Sequence, residues 1–276
     1  MGELDDRVAV ITGGARGQGR AHAITMANAG ADIVVCDIDE EIATVPYPLG
    51  TGDDLAATVE SVEKAGRRCV AIKADVRSRD QMNAVAERAM EEFGRIDILV
   101  ANAGIATYST VASMDERMWQ DIIDVNLTGV FHSVRAVVPY MIERRWGRVI
   151  ATSSIAAKMG VRHMAHYTAA KWGVIGLVKS LSIEVAGYGI TVNALLPDAV
   201  DTDMINNPAI YRQLMPKKDN PTRADIMAMV ASGPPNSDWI DPAEIAEVAL
   251  LLASERGRHF NGEAVTISSG RSAGTT

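Results

Sequence analysis

Val8-Ala9-Val10-Ile11-Thr12-Gly13-Gly14-Ala15-Arg16-Gly17-Gln18-Gly19 is the stretch on which the fold turns. Its first four residues are apolar without alternation, the pattern of a strand buried on both faces. Gly13, Gly17 and Gly19 follow at once, and a helix is expected from there to about Gly30. Glycine lets the backbone turn sharply and approach a pyrophosphate, whose charge then rests on the helix N-terminus. Such a spacing is common by itself. Between a buried strand and a helix it points to a dinucleotide.

Working outward, the strand Asp32-Ile33-Val34-Val35-Cys36 ends at Asp37, about 20 residues past the glycines, where an acid hydrogen-bonds an adenosine 2′-hydroxyl and repels a 2′-phosphate. Arg16 pulls the other way, since it could pair with a phosphate. An unpaired carboxylate against a phosphate is costly, so Asp37 is expected to prevail and to select NAD over NADP. Segment 38–52 is anomalous, because Pro46, Pro48, Gly50 and Gly52 exclude a helix. Loops longer than roughly 12–15 residues are uncommon in compact domains and are usually functional or disordered. Coming after Asp37, this insert should lie at the adenosine end of a bound cofactor and fold over it.

The alternation of strands and helices then continues. Helices are expected over 54–65, 79–93, 166–186 and 242–253, and strands over 69–73, 96–100, 148–151, 190–195 and 264–267. Between 116 and 144, Trp119, Ile122, Ile123, Leu127, Val130, Phe131, Val134 and Val138 recur at helical spacing and predict one helix, kinked or broken near Pro139. Asn126 falls on that apolar face, where its amide must find partners; it is either a structural hydrogen-bonder or part of a site. Segment 198–239 reads as long and irregular, and its Met204, Ile205, Ile210, Tyr211, Leu214, Met215, Ile226, Met227 and Met229 suggest an adaptable apolar lid over a substrate. A polar tail runs to Thr276. The pattern indicates one α/β domain over 1–276, a doubly wound parallel sheet of about seven strands with a cofactor-side insert at 38–52 and a lid at 198–239.

Composition narrows the function. A net charge of −8 over 276 residues argues against nucleic acid and anionic membrane surfaces. Cys36 and Cys69, the only cysteines, lie in strand-like runs and read as core hydrophobes in a reducing compartment, neither a disulfide framework nor a metal site. No signal peptide and no apolar run of about 18 residues is present, so a cytoplasmic location is expected.

The chemistry is concentrated between 152 and 171. Tyr167 and Lys171 are four apart and share a helix face. A tyrosine of pKa ~10 needs a downward shift of roughly 3 units, about 4 kcal/mol, to act as a base at neutral pH, and an adjacent ammonium favours the phenolate. Ser154, just past the strand-like Arg148-Val149-Ile150-Ala151, offers a hydroxyl that could hold a substrate oxygen beside the phenol. The helix also carries Ala169, Ala170, Gly173 and Gly176, a small-residue face suited to close helix packing between subunits. Trp172 reads as a packing residue.

Thr12-Gly13-x-x-x-Gly17-x-Gly19, Asp75-Val76, Asn102-Ala103-Gly104, Asn126, Ser154 and Tyr167-x-x-x-Lys171, in that order over nearly the whole chain, resemble the short-chain dehydrogenase/reductase family. The resemblance implies a Rossmann-type fold, NAD, a catalytic tetrad of Asn126, Ser154, Tyr167 and Lys171, and a homotetramer acting on a small alcohol or ketone. It further implies cofactor contacts from Gly13, Arg16, Gly17, Gln18, Gly19, Asp37, Asp75, Val76, Asn102, Ala103, Gly104, Tyr167, Lys171, Pro197, Val200 and Thr202. The loop Ala15-Arg16-Gly17-Gln18-Gly19-Arg20-Ala21-His22, the insert and Asn220-Pro221-Thr222-Arg223 are similar to the carveol-dehydrogenase-like branch. That likeness implies NAD held without exchange and mycofactocin as electron acceptor. Two positions depart from the family. Pro197 is followed by Asp198 where glycine is usual, and Ile267 by Ser268-Ser269-Gly270 where Asp-Gly is usual.

Overall fold

The opening strand, β1 (Val8–Thr12), sits inside a seven-stranded, all-parallel sheet in a computed structural model that describes residues 2–231 and 239–273. On one side lie β2 (Asp32–Asp37) and β3 (Cys69–Lys73); on the other lie β4 (Ile98–Ala101), β5 (Gly147–Thr152), β6 (Ile190–Pro197) and β7 (Ala264–Ile267). Val10 pairs with Val34 of β2 and with Leu99 of β4. The strand order reverses at β1, and crevices at the carboxyl ends of strands beside such a reversal are where ligands of these sheets bind.

Alternation along β1 divides the interior. Val8 and Val10 face one core, packed with side chains of α3 (Arg79–Phe93), α5 (Gly129–Arg144) and α6 (Ala165–Val185). Ala9 and Ile11 face the other, with α1 (Gly17–Asn28), α2 (Gly52–Lys64) and α9 (Pro242–Ala253). Helix ends follow their caps. Thr51 and Asp54 form a capping box at α2, Ser78 caps α3, and Gly94 ends α3 in the left-handed conformation.

Several expectations need correction. The run 116–144 is helical from end to end, but not α-helical throughout. α4 (Glu116–Ile123) passes through a π-helical turn, Asp124–Thr128, into α5. Gly129 lies so close to Val76 that a Cβ there would sit 2.6 Å from Val76 Cγ2, and the wider turn puts Asn126 against Ile105. Such turns often mark functional positions. Pro139 lies inside α5 and does not end it. β4 starts at Ile98, two residues later than expected, because Asp97 is buried at its mouth, bonding Val8 N–H, Arg7 and Arg95. Segment 198–239 is not irregular throughout. Asn207, with Pro208 behind it, caps α7 (Pro208–Leu214), and Thr222 bonds Asp225 at the start of α8 (Arg223–Ala231). Residues 232–238 of that segment, and 274–276 of the tail, lie outside the described residues. Trp172 is 49% exposed, so it is no core residue of the protomer. The small-residue face of α6 is partly used within the chain: Ala170 is buried and Gly173 packs on Leu127, while Ala169 is exposed and Gly176 faces open space.

Insert 38–52 has no helix or strand until α2 begins at Gly52, as expected, yet it is well packed. Ile42, Val45, Tyr47 and Leu49 are buried and belong to the α3–α5–α6 core. Thr44 Oγ1 donates to Asp121 Oδ2 on α4 at 2.7 Å, and Lys73 pairs with Glu40.

Candidate active site

A cavity of about 430 Å³ opens at the carboxyl ends of the strands. Fifteen of the sixteen residues expected to touch cofactor line it, all but Gly19; Ser154 lines it with them, and Asn126 is buried behind it. Gly13 has φ +65°, and a Cβ there would come 2.8 Å from Ala103 Cα; a Cβ on Gly19 would fall 1.9 Å from Gly13 O.

 

At the polar end, the N-terminus of α1 has an extended Arg16 as its cap residue, no side-chain cap and no acid in its first turn. Its N–H groups and positive dipole end therefore face the cleft with no carboxylate of the helix against them, which fits a pyrophosphate. Gln18 Oε1 is buried without a hydrogen-bond partner, a further polar atom on the lining that a bound molecule could satisfy. Asp37 Oδ2 accepts from Ala15 N at 3.0 Å and Oδ1 from its own neighbour Ile38 N at 2.9 Å; burial pushes its carboxyl above the usual range. Gly50 of the insert covers it so closely that a Cβ would lie 3.0 Å from Asp37 Oδ2. Arg16 is engaged on both sides, donating to Asp203 Oδ2 at 3.0 Å and to Pro48 O of the insert. Asp75 is held by Arg77, Nε to Oδ2 at 2.8 Å.

Asn102 joins three strand ends. Its Nδ2 donates to Thr12 O and Gly13 O, and its Oδ1 accepts from Thr152 Oγ1. Beside it, a Cβ on Gly104 would sit 3.0 Å from Asn126 Oδ1 and 3.5 Å from Lys171 Nζ, so glycine leaves the space that both groups share. Asn126 resolves as a satisfied, fully buried amide: Oδ1 accepts from Ile105 N at 2.9 Å and Nδ2 donates to Ile105 O at 2.8 Å.

Lys171 Nζ donates to Thr152 O at 2.8 Å and lies 5.5 Å from the Tyr167 ring centroid. Burial lowers its pKa to about 8. Ser154, whose Oγ accepts from Ala156 N, lines the cavity beside Tyr167. The expected lowering of the tyrosine pKa by Lys171 is not what the protein's own groups produce. Burial raises Tyr167 above its ordinary value, opposed by the neighbouring Ser154 hydroxyl, because removing a phenolate from water outweighs that help.

At the other end the lining turns apolar, with Ile155, Met159, Met164, Met204 and Ile205. Asp198, where the family has glycine, pairs with Arg271 at 3.0 Å, joining the two departures across the ends of β6 and β7. Tyr47, Tyr108 and the Thr107–His166 pair were not singled out by sequence reasoning. The alternation of apolar residues through the insert was the available signal for Tyr47; nothing local marks the others.

Residues 7–209 match the family described as short chain dehydrogenase. The chain is 40% identical, over 98% of its length and 99% of the other's, to (-)-trans-carveol dehydrogenase of Rhodococcus erythropolis. Among solved structures it is similar to carveol dehydrogenase from Mycobacterium avium in complex with NAD, with a TM-score of 0.94, 37% identity and 98% of each chain covered. It is also similar to levodione reductase, with a TM-score of 0.87, 32% identity and coverage of 98% of this chain and 99% of that one.

Proposed function

The chain belongs to the short-chain dehydrogenase family, and from that premise we propose that it is an NAD-dependent oxidoreductase interconverting an apolar, terpenoid-like secondary alcohol and its ketone. The observation that carries this reading is that Ser154, Tyr167 and Lys171 line one cavity together, between its polar and its apolar end. Ser154 and Tyr167 hold the substrate oxygen between them, and Tyr167 Oη exchanges the proton with it. Lys171, braced on Thr152 O, orients the phenol side of the site and reaches toward the cofactor ribose. Asn126, fixed by Ile105, supports the water through which the proton leaves. NAD supplies the hydride acceptor when bound.

The helix N-terminus of α1, Asp37 and the glycine at 104 are the groups that hold the cofactor. NAD is preferred to NADP because Asp37 faces the cleft while Arg16 is committed to Pro48 and Asp203. Residues 38–52 act as the cofactor cover and 198–239 as the substrate cover. Closure of the first keeps NAD from exchanging, so that reoxidation occurs in place, with mycofactocin as acceptor; what supports this is the length of the insert and its packing beside Asp37. The protein assembles as a homotetramer, supported by exposed Phe131, Trp172 and Ile183 on α5 and α6. A second reading is favoured by the raised Tyr167 pKa: a protonated phenol is a ready donor, which suits a freely exchanging NADH-dependent ketone reductase.

Mass spectrometry of small molecules released on denaturation, followed by turnover of secondary alcohols with and without a diffusible acceptor, tests the reading. The expected result is released NAD or NADH and turnover that depends on the acceptor. Empty protein that readily reduces added NAD selects free exchange; no turnover and no NAD binding would sink the oxidoreductase reading.

A further inference from the structure

Three consecutive residues after β4 form a buried strap with a partner at each position. Ile105 exchanges two hydrogen bonds with Asn126. Ala106 donates its N–H to the Tyr47 hydroxyl at 2.9 Å. Thr107 Oγ1 bonds His166 Nε2 at 2.7 Å, and His166 directly precedes Tyr167 on α6. Ile105, Ala106, Thr107, Asn126, His166 and Tyr47 are all buried. Tyr47 comes from the insert, whose place beside Asp37 would put it at the adenosine end, yet it lines the same cavity as Tyr167 and Tyr108 and bonds the strap after β4. The insert therefore crosses the cleft.

Resting on the function proposed above, we propose that Tyr47 is a positioning residue for the reaction: by holding Ala106 it fixes the strap that sets both the Asn126 amide and the His166–Tyr167 end of α6. A buried N–H that loses its acceptor cannot turn to water, so the strap must shift or leave the group unsatisfied. Either outcome displaces the neighbours on both sides, since Ile105 and Thr107 are one residue away. The ring of Tyr47 packs in the core independently of its hydroxyl, which separates the two roles.

Tyr47→Phe keeps the ring and removes only the acceptor. In the protein as purified, kcat should fall about tenfold or more, with KM and bound NAD content unchanged. Added to Asn126→Ala, the same change should cost little further, because both act through one strap. In protein labelled with ¹⁵N at asparagine and histidine, the Asn126 side-chain amide and the His166 ring should both shift. A kcat within twofold of wild type overturns the proposal, as does a loss of NAD in step with activity, which would make Tyr47 only part of the cofactor cover. Unmoved Asn126 and His166 signals overturn it even if no substrate is found. Inactive wild-type protein with shifted signals upholds the strap and counts against the proposed function alone.

Discussion

The insert at 38–52 and the segment after β6 differ in a way their secondary structure does not announce. The insert is irregular, yet Ile42, Val45, Tyr47 and Leu49 enter the main core and its hydrogen bonds reach α4 and the strap after β4. The segment after β6 contains α7 and α8, yet it leaves Leu214 and Met229 exposed. Its bonds are largely its own, such as Arg223 to Asp201 and Tyr211 to Asn206. Regular backbone hydrogen bonding is thus a poor guide to how firmly a segment is held; buried side chains and distant partners decide it. The insert, the proposed cofactor cover, is packed firmly enough to be a wall of the cleft; the later segment, the proposed substrate cover, is held more loosely. Arg16 touches both, through Pro48 and Asp203.

On the function proposed, both regions flank one reaction centre, so the largest effect should come from that centre. Tyr167→Phe is expected to lower turnover by about 10²- to 10⁴-fold while NAD content stays the same; residual activity above about a tenth of wild type would remove the tyrosine from its role. The contrast between wall and cover is tested directly by Leu49→Ala and Leu214→Ala. The first should cost about 2–5 kcal/mol in denaturant unfolding, the second within about 0.5 kcal/mol; equal losses would erase the distinction. Activity against pH comes next. Only the ionised phenol accepts a proton, and burial raises the Tyr167 pKa, so alcohol oxidation should climb by up to about tenfold per pH unit without levelling before pH ~10. A plateau near neutrality would mean that a cation overrides burial. Smallest is Asp37→Ser, expected to narrow the preference for NAD over NADP by about tenfold in binding titrations. Equal affinity for the two in wild-type protein would show that Asp37, under its cover of Gly50, does not discriminate.

The sheet was legible because β1, β2 and β4 are written as nearly uninterrupted apolar runs, and α3 was bounded correctly at 79–93, where Ser78 caps it and Gly94 ends it. The arrangement of Gly13, Asn102, Ser154, Tyr167 and Lys171 in one cavity followed from their places at strand ends and on one helix face. What escaped depends on space. α7 was announced by Asn207-Pro208, a cap and first-turn pair lost among the prolines and lysines around it. The π-turn at Asp124–Thr128 adds a residue to a periodic run without disturbing its composition, so the apolar spacing still reads as one helix. The strap at 105–107 is made by partners 21 and 59 residues away, and no local pattern carries such a contact.

Those separations give the wiring a temporal side. Tyr47 meets Ala106 across 59 residues and Thr44 meets Asp121 across 77, so neither contact can form before β4 and α4 have been made and brought to the sheet. Closing loops of that length carries an entropic cost that only a nearly complete core offsets. The insert, early in the chain, is therefore a late arrival in folding, and its docking coincides with the moment the reaction centre first acquires its shape.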